Sequence, residues 1–435
     1  MNIDNLSKFT ASLHTHVRSI YDAQIDAKEL CEKIKELGGK GCAITDHGVL
    51  SSIEDYRRVF DEYELKLIPG CELYVDGGIL GRLHLIVLAR NDHGYHGICK
   101  MVTRANMESR SDYPVISQSS LFEIMKEYKG DIFALSACIQ GVIAAIFLLN
   151  QTVEKKLSKL KDKQGKYTSP EDAVYTALKG RIRSVQDELA ILVEKRDIAK
   201  LWAEKKYTKR EKKVKKLEGE EKTKAEKELL KDKAISEKAV TALEEKKAAI
   251  ADLKKKVSAE QKKLKEMEAS IEKFNNIQSE IDEIKKELKS DEEIYNTALA
   301  TAKEYLSVFG KGRFLAEIQN HGLPEEAICY PGVIKVAKEL GLPLVATNDV
   351  HMLTDSEDDR LRRCILRSLR FGTDFEEERN GDRELYLKDN YELLEALVQI
   401  IDEDDAIKAI KNIDVVFNAC DVKFETGKHY PKYRE

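Results

Sequence analysis

Short apolar runs alternate with amphipathic stretches at the two ends of the chain, and a sparse, charged repeat fills the middle. The first end carries the runs FTASLHTH, GCAITDHG, LKLIPGCELYV, RLHLIVLAR and DIFALSAC. The second carries RFLAEIQNHG and LPLVATNDVH. Runs of this length, rich in β-branched residues and bounded by turn residues, predict strands. AKELCEKIKELG and YPGVIKVAKELG space their apolar residues three and four apart and predict helices between the strands. Strand then helix, repeated, predicts an α/β fold with a parallel sheet or a (β/α) barrel.

The middle differs. Between Glu171 and Gly322 there is no proline and little glycine, while Lys and Glu dominate. Ile250, Leu253, Val257, Glu260, Leu264, Met267, Ile271, Phe274, Gln278 and Ile281 follow alternating steps of three and four, and eight of these ten positions are apolar. Leu178, Ile182, Val185, Leu189 and Leu192, then Arg196 and Ala199, show the same spacing earlier in the chain. Two such helices predict an antiparallel coiled-coil hairpin, with a helix start at Ser169–Asp172 and a tip in or near KREKKVKKLEGEEKTKAEKELLKD, where Gly219 offers a turn. The expected division is a barrel half over 1–150, the coiled-coil insertion over 151–305, and a second barrel half with a helical C-terminal extension over 306–435. An arm of roughly 60 to 70 residues is on the order of 100 Å long.

Composition accounts for that insertion and limits partners. Charged residues make up 35% of the chain, above the roughly 25% of an ordinary domain. The net charge of -5 is too small to advertise a general affinity for nucleic acid. No apolar stretch approaches the roughly 18 residues that span a bilayer, so no membrane partner is expected. Eight scattered cysteines without CxxC pairs predict reduced thiols and a cytoplasmic setting.

Candidate chemistry sits at the strand ends, where a (β/α) barrel places it. His14 and His16 lie two apart on a strand, so both imidazoles face one side and fit one metal site. Asp349 and His351 repeat the spacing near the other end of the chain. Between them, Asp46, His47, Glu72, His84 and Cys138 are polar groups set in apolar strands. Burying so many ionisable groups without compensation is very costly, and divalent cations supply the opposite charge. The mixture of imidazole, carboxylate and one thiol suits Mn, Zn or Fe better than Mg.

These residues resemble the PHP (polymerase and histidinol phosphatase) family. The similarity is greatest to the version at the N-terminus of the bacterial DNA polymerase III alpha subunit. SLHTH, AITDHG, GCELYV, ALSAC, IQNHG and PLVATNDVH occur in the family's order. The resemblance implies a distorted seven-stranded (β/α) barrel holding two or three divalent metal ions. Carried over residue by residue, the ligands are His14, His16, Asp22, His47, Glu72, His84, Cys138, Asp349 and His351. Asp46 is expected to orient His47, and His321 either contacts substrate or caps a loop. His84, His351 and His321 are the candidate catalytic groups.

The resemblance further implies a metal-dependent phosphoesterase. The chain ends at Glu435, where the polymerase subunit continues into its palm domain, so the leading expectation is a stand-alone nuclease or phosphodiesterase acting on DNA or RNA. Its coiled coil is then expected to recruit a protein partner or to self-associate. The alternatives are a small-molecule phosphatase acting on nucleotides or pyrophosphate, and a non-catalytic metal-stabilised module of a replicase-like or defence assembly.

Overall fold

A computed structural model describes residues 6–18, 23–109, 112–216, 218–372 and 382–424. The chain divides into two compact units, one built from residues 1–154 and 287–435 and the other from Lys155–Lys286. The expected insertion of 151–305 is therefore too long at its C-terminal end. The helix over Asp291–Phe309 buries Ile294, Ala298, Ala302, Tyr305 and Phe309 in the core of the first unit.

The first unit contains strands β1 (Ala11–Ser12), β2 (Gly41–Ile44), β3 (Lys66–Asp76), β4 (Arg82–Ala89), β5 (Val115–Ile116), β6 (Ile132–Leu135), β7 (Phe314–Ile318) and β8 (Leu344–Ala346). Helices α1 (Ala27–Glu36), α2 (Ile53–Glu62), α3 (Asp92–Glu108), α4 (Gln118–Tyr128) and α5 (Ala144–Phe147) precede the insertion. Helix α6 (Leu149–Gln164) leads into it; α7 (Ala173–Val214) and α8 (Gly219–Lys285) make up most of it. After it come α9 (Asp291–Phe309), α10 (Pro324–Leu340), α11 (Glu357–Phe371), α12 (Asn390–Leu397) and α13 (Glu403–Ala419).

Seven strands pair in the order β1-β2-β3-β4-β6-β7-β8, with β5 beside the outer end of β3. The two ends of this row meet: His16 N–H donates to the Val350 carbonyl at 2.8 Å and Val350 N–H to the His14 carbonyl at 3.1 Å. The curled sheet therefore joins its first and last strands just beyond β1 and β8. One expectation needs correction. Strand β4 runs antiparallel to both β3 and β6, so the sheet is mixed. The cause is local. Only residues 77–81 separate β3 from β4, with Gly78 and Gly81 at positive φ, and so short a connection permits only a hairpin.

The second unit is helical. Helices α7 and α8 pack on one another; α7 ends at Val214 and α8 begins at Gly219. On α8, Ile250, Val257 and Ile281 are buried and the other positions of the predicted repeat are half-buried, while most residues between them are exposed; on α7, Leu178 and Ile182 are buried. The α7 start lies slightly later than expected. Asp172 accepts from the backbone N–H of Val174 and Tyr175 as the N-cap, while Ser169 makes a preceding turn.

At the boundary of the first unit, Asn150 Nδ2 donates to the Lys289 carbonyl at 2.8 Å and Lys289 N–H returns a bond to Asn150 Oδ1 at 3.1 Å. This clamp holds together the two points where the chain leaves and re-enters. Replacing 155–286 with a short Gly-Ser linker is expected to leave a protein that melts cooperatively by near-UV circular dichroism. Loss of the sharp transition would show that the first unit depends on the second.

Candidate metal centre

Three backbone bridges assemble the site. Thr15 pairs with Val350, His47 with Glu72, and His84 with Gly141; Glu72 lies within β3 and His84 within β4, while the other four residues lie outside the regular strands. Gly141 is required here: a Cβ would stand 1.8 Å from the Ser136 carbonyl oxygen, so only glycine lets the segment after Cys138 fold back onto its strand.

Around these pairings, donor atoms collect in three overlapping sets: His16, His47 and His351; His14, His16, Glu72 and Asp349; and Glu72, His84 and Cys138. Within each set the atoms lie within 4.8 Å of one another. His16 belongs to two sets and so does Glu72. Eight of the nine expected ligands are thus brought together; Asp22 lies outside the described residues.

The geometry is that of a charge cluster. His14 Nε2 and His16 Nε2 are 3.1 Å apart, and Asp349 Oδ1 lies 3.1 and 3.2 Å from them. Glu72 Oε2 is 2.8 Å from His47 Nδ1 and 3.1 Å from His16 Nε2, and its Oε1 contacts His84 Nδ1. The His16 ring stacks between those of His47 and His351, with centroids at 4.1 and 4.4 Å. Cys138 Sγ is 3.6 Å from His84 Nδ1.

Burial works against charge on Glu72, but the imidazoles of His84 and His47 outweigh it and hold the carboxyl well below its usual range. Burial likewise opposes charge on His16, yet its bonds to Asp349 and Glu72 lift it to about 9. On Cys138, burial and then the Asp349 and Glu72 charges push the thiol well above its usual range. A divalent cation fits this donor set. Two imidazole nitrogens face each other beside two carboxylates, and His16 Nδ1 is buried with no hydrogen-bond partner among the described residues. Cation binding satisfies converging lone pairs that protons cannot all serve.

Two site residues sit in strained backbone. Asp349 has φ 47° and Ala137, next to Cys138, has φ 62°, both in the left-handed region that costs a non-glycine residue about 1 to 2 kcal/mol. Glu317 opposes that cost. It is fully buried on β7, lies 2.7 Å from His14 Nδ1, accepts from Ala137 N–H at 2.9 Å, and also takes the Thr347 hydroxyl. This carboxylate ties three strand ends together and fixes the His14 ring. Its signal was present in FLAEI as an acid within an apolar run, but no spacing motif marked it.

Two expected roles differ. Asp46 does not orient His47: its carboxylate accepts from the backbone N–H of Val17 (2.8 Å) and Arg18 (3.2 Å) and from Ser52, anchoring the segment after His16. His321 stands outside the donor sets, with Nδ1 2.8 Å from Glu326 and Nε2 3.1 Å from the Asn348 carbonyl. It braces the loop ahead of Asp349, because the same Glu326 also binds the backbone N–H of His321 and Leu323.

Residues 12–175 match the family model of the PHP domain. The chain contains a PHP domain. The match takes in His14 to Cys138 and ends within α7; folding adds Asp349 and His351 from beyond it. The chain is 30% identical over 145 residues to the DNA polymerase III subunit alpha of Helicobacter pylori and 31% over 155 residues to that of Chlamydia muridarum. These alignments cover 32% and 33% of this chain and 12% of each relative. A solved structure from Bifidobacterium adolescentis, assigned to the metal-dependent phosphoesterases, is 18% identical, with 34% of this chain and 52% of that one covered and a TM-score of 0.19. At that score the likeness adds nothing to the strand order described above.

Two measurements check the PHP site. Glu317→Gln is expected to weaken Mn binding in calorimetry by roughly 10- to 100-fold; unchanged affinity would show that His14 needs no such support. Asp46→Ala leaves two backbone donors without their acceptor and is expected to cost about 3 kcal/mol in urea denaturation, whereas a cost under about 1 kcal/mol would show that the segment after His16 does not depend on this anchor.

Proposed function

We propose that the chain is a metal-dependent phosphoesterase that hydrolyses phosphodiester bonds in DNA or RNA. The observation that carries this reading is the set of three overlapping donor groups sharing His16 and Glu72. The same ligands are offered to two or three divalent ions, with Mn, Zn or Fe favoured by the mixed nitrogen, oxygen and sulfur donors. When bound, such ions supply Lewis acidity toward the phosphate oxygens and the attacking water.

The chain's own groups do the rest. His14 and His16 are wholly buried, and Glu72 nearly so, which fixes the donor positions before substrate arrives. His47 and His84 are each 12% exposed at the side chain, more than the imidazoles of His14 and His16. His84 and His351 are the groups assigned to hand a proton to the departing oxygen, a role that depends on a nitrogen not committed to metal. The similarity to polymerase subunits, over 12% of their length, supports nucleic acid as the substrate class. In the same reading α7 and α8 form an antiparallel coiled coil that carries a protein partner or a second copy, supported by the burial of the repeat positions. No described helix is long and apolar enough to cross a membrane.

With Mn present, the protein is expected to cut end-labelled single- or double-stranded DNA, and a His14→Ala, His16→Ala double variant to lose cutting by about 100-fold or more. Chelator should abolish the activity and added Mn restore it. Hydrolysis of nucleotides or pyrophosphate without any cutting of DNA or RNA would replace the nuclease reading with a small-molecule phosphatase. Cutting retained in the double variant would remove the site from the reaction.

A further inference from the structure

The β3–β4 hairpin carries the face of the donor cluster outward. Glu72, Tyr74 and Asp76 alternate onto one face of β3. The antiparallel register sets Tyr74 opposite His84 and Asp76 opposite Arg82. Tyr74 and Arg82 therefore continue the face that Glu72 and His84 begin. The Tyr74 ring lies nearly parallel to that of His47, with centroids at 5.7 Å and planes 11° apart, and stands edge-on to His84 at 5.2 Å. Tyr113, just ahead of β5, stands edge-on to Tyr74 at 5.7 Å. Over Tyr113 lies the Arg82 guanidinium, 3.8 Å from the ring centroid and 5.8 Å from that of Tyr74.

A continuous row of planar groups thus runs from two donor imidazoles to an exposed arginine. Arg82 is solvent-exposed, and its cross-strand neighbour Asp76 turns Oδ1 to the Gly78 N–H at 3.0 Å. No ion pair of Arg82 is found among the described residues. Stacking on an aromatic face leaves the guanidinium edge open, and that edge matches the oxygens of a phosphate in a bidentate way.

We propose that Arg82, seated on Tyr113, is a second anion subsite that takes the phosphate neighbouring the one at the metal centre. The substrate then carries at least two linked phosphates. This rests on the metal-centre reading above and narrows it: a simple phosphomonoester fills only half of the site. Two linked phosphates occur in a nucleic-acid strand and in a polyphosphate such as pyrophosphate, and the Arg82 edge serves both.

The test is calorimetric binding to the full-length, Mn-loaded protein, which needs no turnover. The probes are inorganic phosphate, pyrophosphate and a 5′-phosphorylated thymidine dinucleotide with a phosphorothioate linkage. Wild type is expected to bind a two-phosphate probe more tightly than phosphate. Arg82→Ala should lower that affinity by about tenfold or more while leaving phosphate unchanged, and Arg82→Lys should recover only part of it. A loss confined to the dinucleotide assigns the subsite to nucleic acid, and one shared with pyrophosphate to linked phosphates in general. If Arg82→Ala binds both two-phosphate probes as wild type does, or wild type prefers neither over phosphate, the subsite is overturned. If phosphate does not bind but two-phosphate binding still depends on Arg82, the metal-centre reading falls and the subsite stands.

Discussion

The pairing of Val350 with the backbone of His14 and His16 is the constraint on which the site depends. It is a short parallel contact of two backbone hydrogen bonds, yet it joins the first strand to the last. Because side chains alternate along each segment, the pairing turns His14 and His16 toward Asp349 and His351. A one-residue slip would send the imidazoles to the other side of the sheet, where apolar packing has no use for them. Register is therefore fixed twice, once by core burial of Leu13 and Val350 and once by the charges the slip would strand.

Glu317 shows how the interior charge is organised. A buried carboxylate without partners is unfavourable by several kcal/mol, but here one carboxylate serves an imidazole, a backbone amide and a hydroxyl on three different elements. It thereby steadies Ala137 in its left-handed conformation and orients Cys138 beside His84. The polar interior is a connected network, and its rigidity suits a site that must hold several donors within a few ångströms.

Much of this was legible in the chain. The i, i+2 pairs His14/His16 and Asp349/His351 announce a shared face because strand geometry converts that spacing directly into direction. The helical repeat of α8 was equally plain, since burial follows its three and four residue steps. What stayed hidden depends on contacts between distant segments. Nothing in RLHLIVLAR states that β4 runs antiparallel; the shortness of 77–81 is the only trace. Asp46 adjoins His47 in sequence, which favoured a role there, but its carboxylate turns to Val17 and Arg18. Similarly, α9 continues the helical texture of the insertion, and only the burial of Tyr305 and Phe309 assigns it to the first unit.

The position of the insertion also orders the assembly of the site in time. Glu72, His84 and Cys138 are all synthesised before the insertion begins, so this donor set is chemically complete in a nascent chain that still lacks β7 and β8. The other two sets need Asp349 or His351, and therefore wait for the whole helical unit to be translated and for the last strand to reach the first. A newly made chain thus passes through a stage in which one corner of the cluster exists while the rest has yet to form. Every ion-pair partner of Glu72 among the described residues, His14, His16, His47 and His84, is already present at that stage.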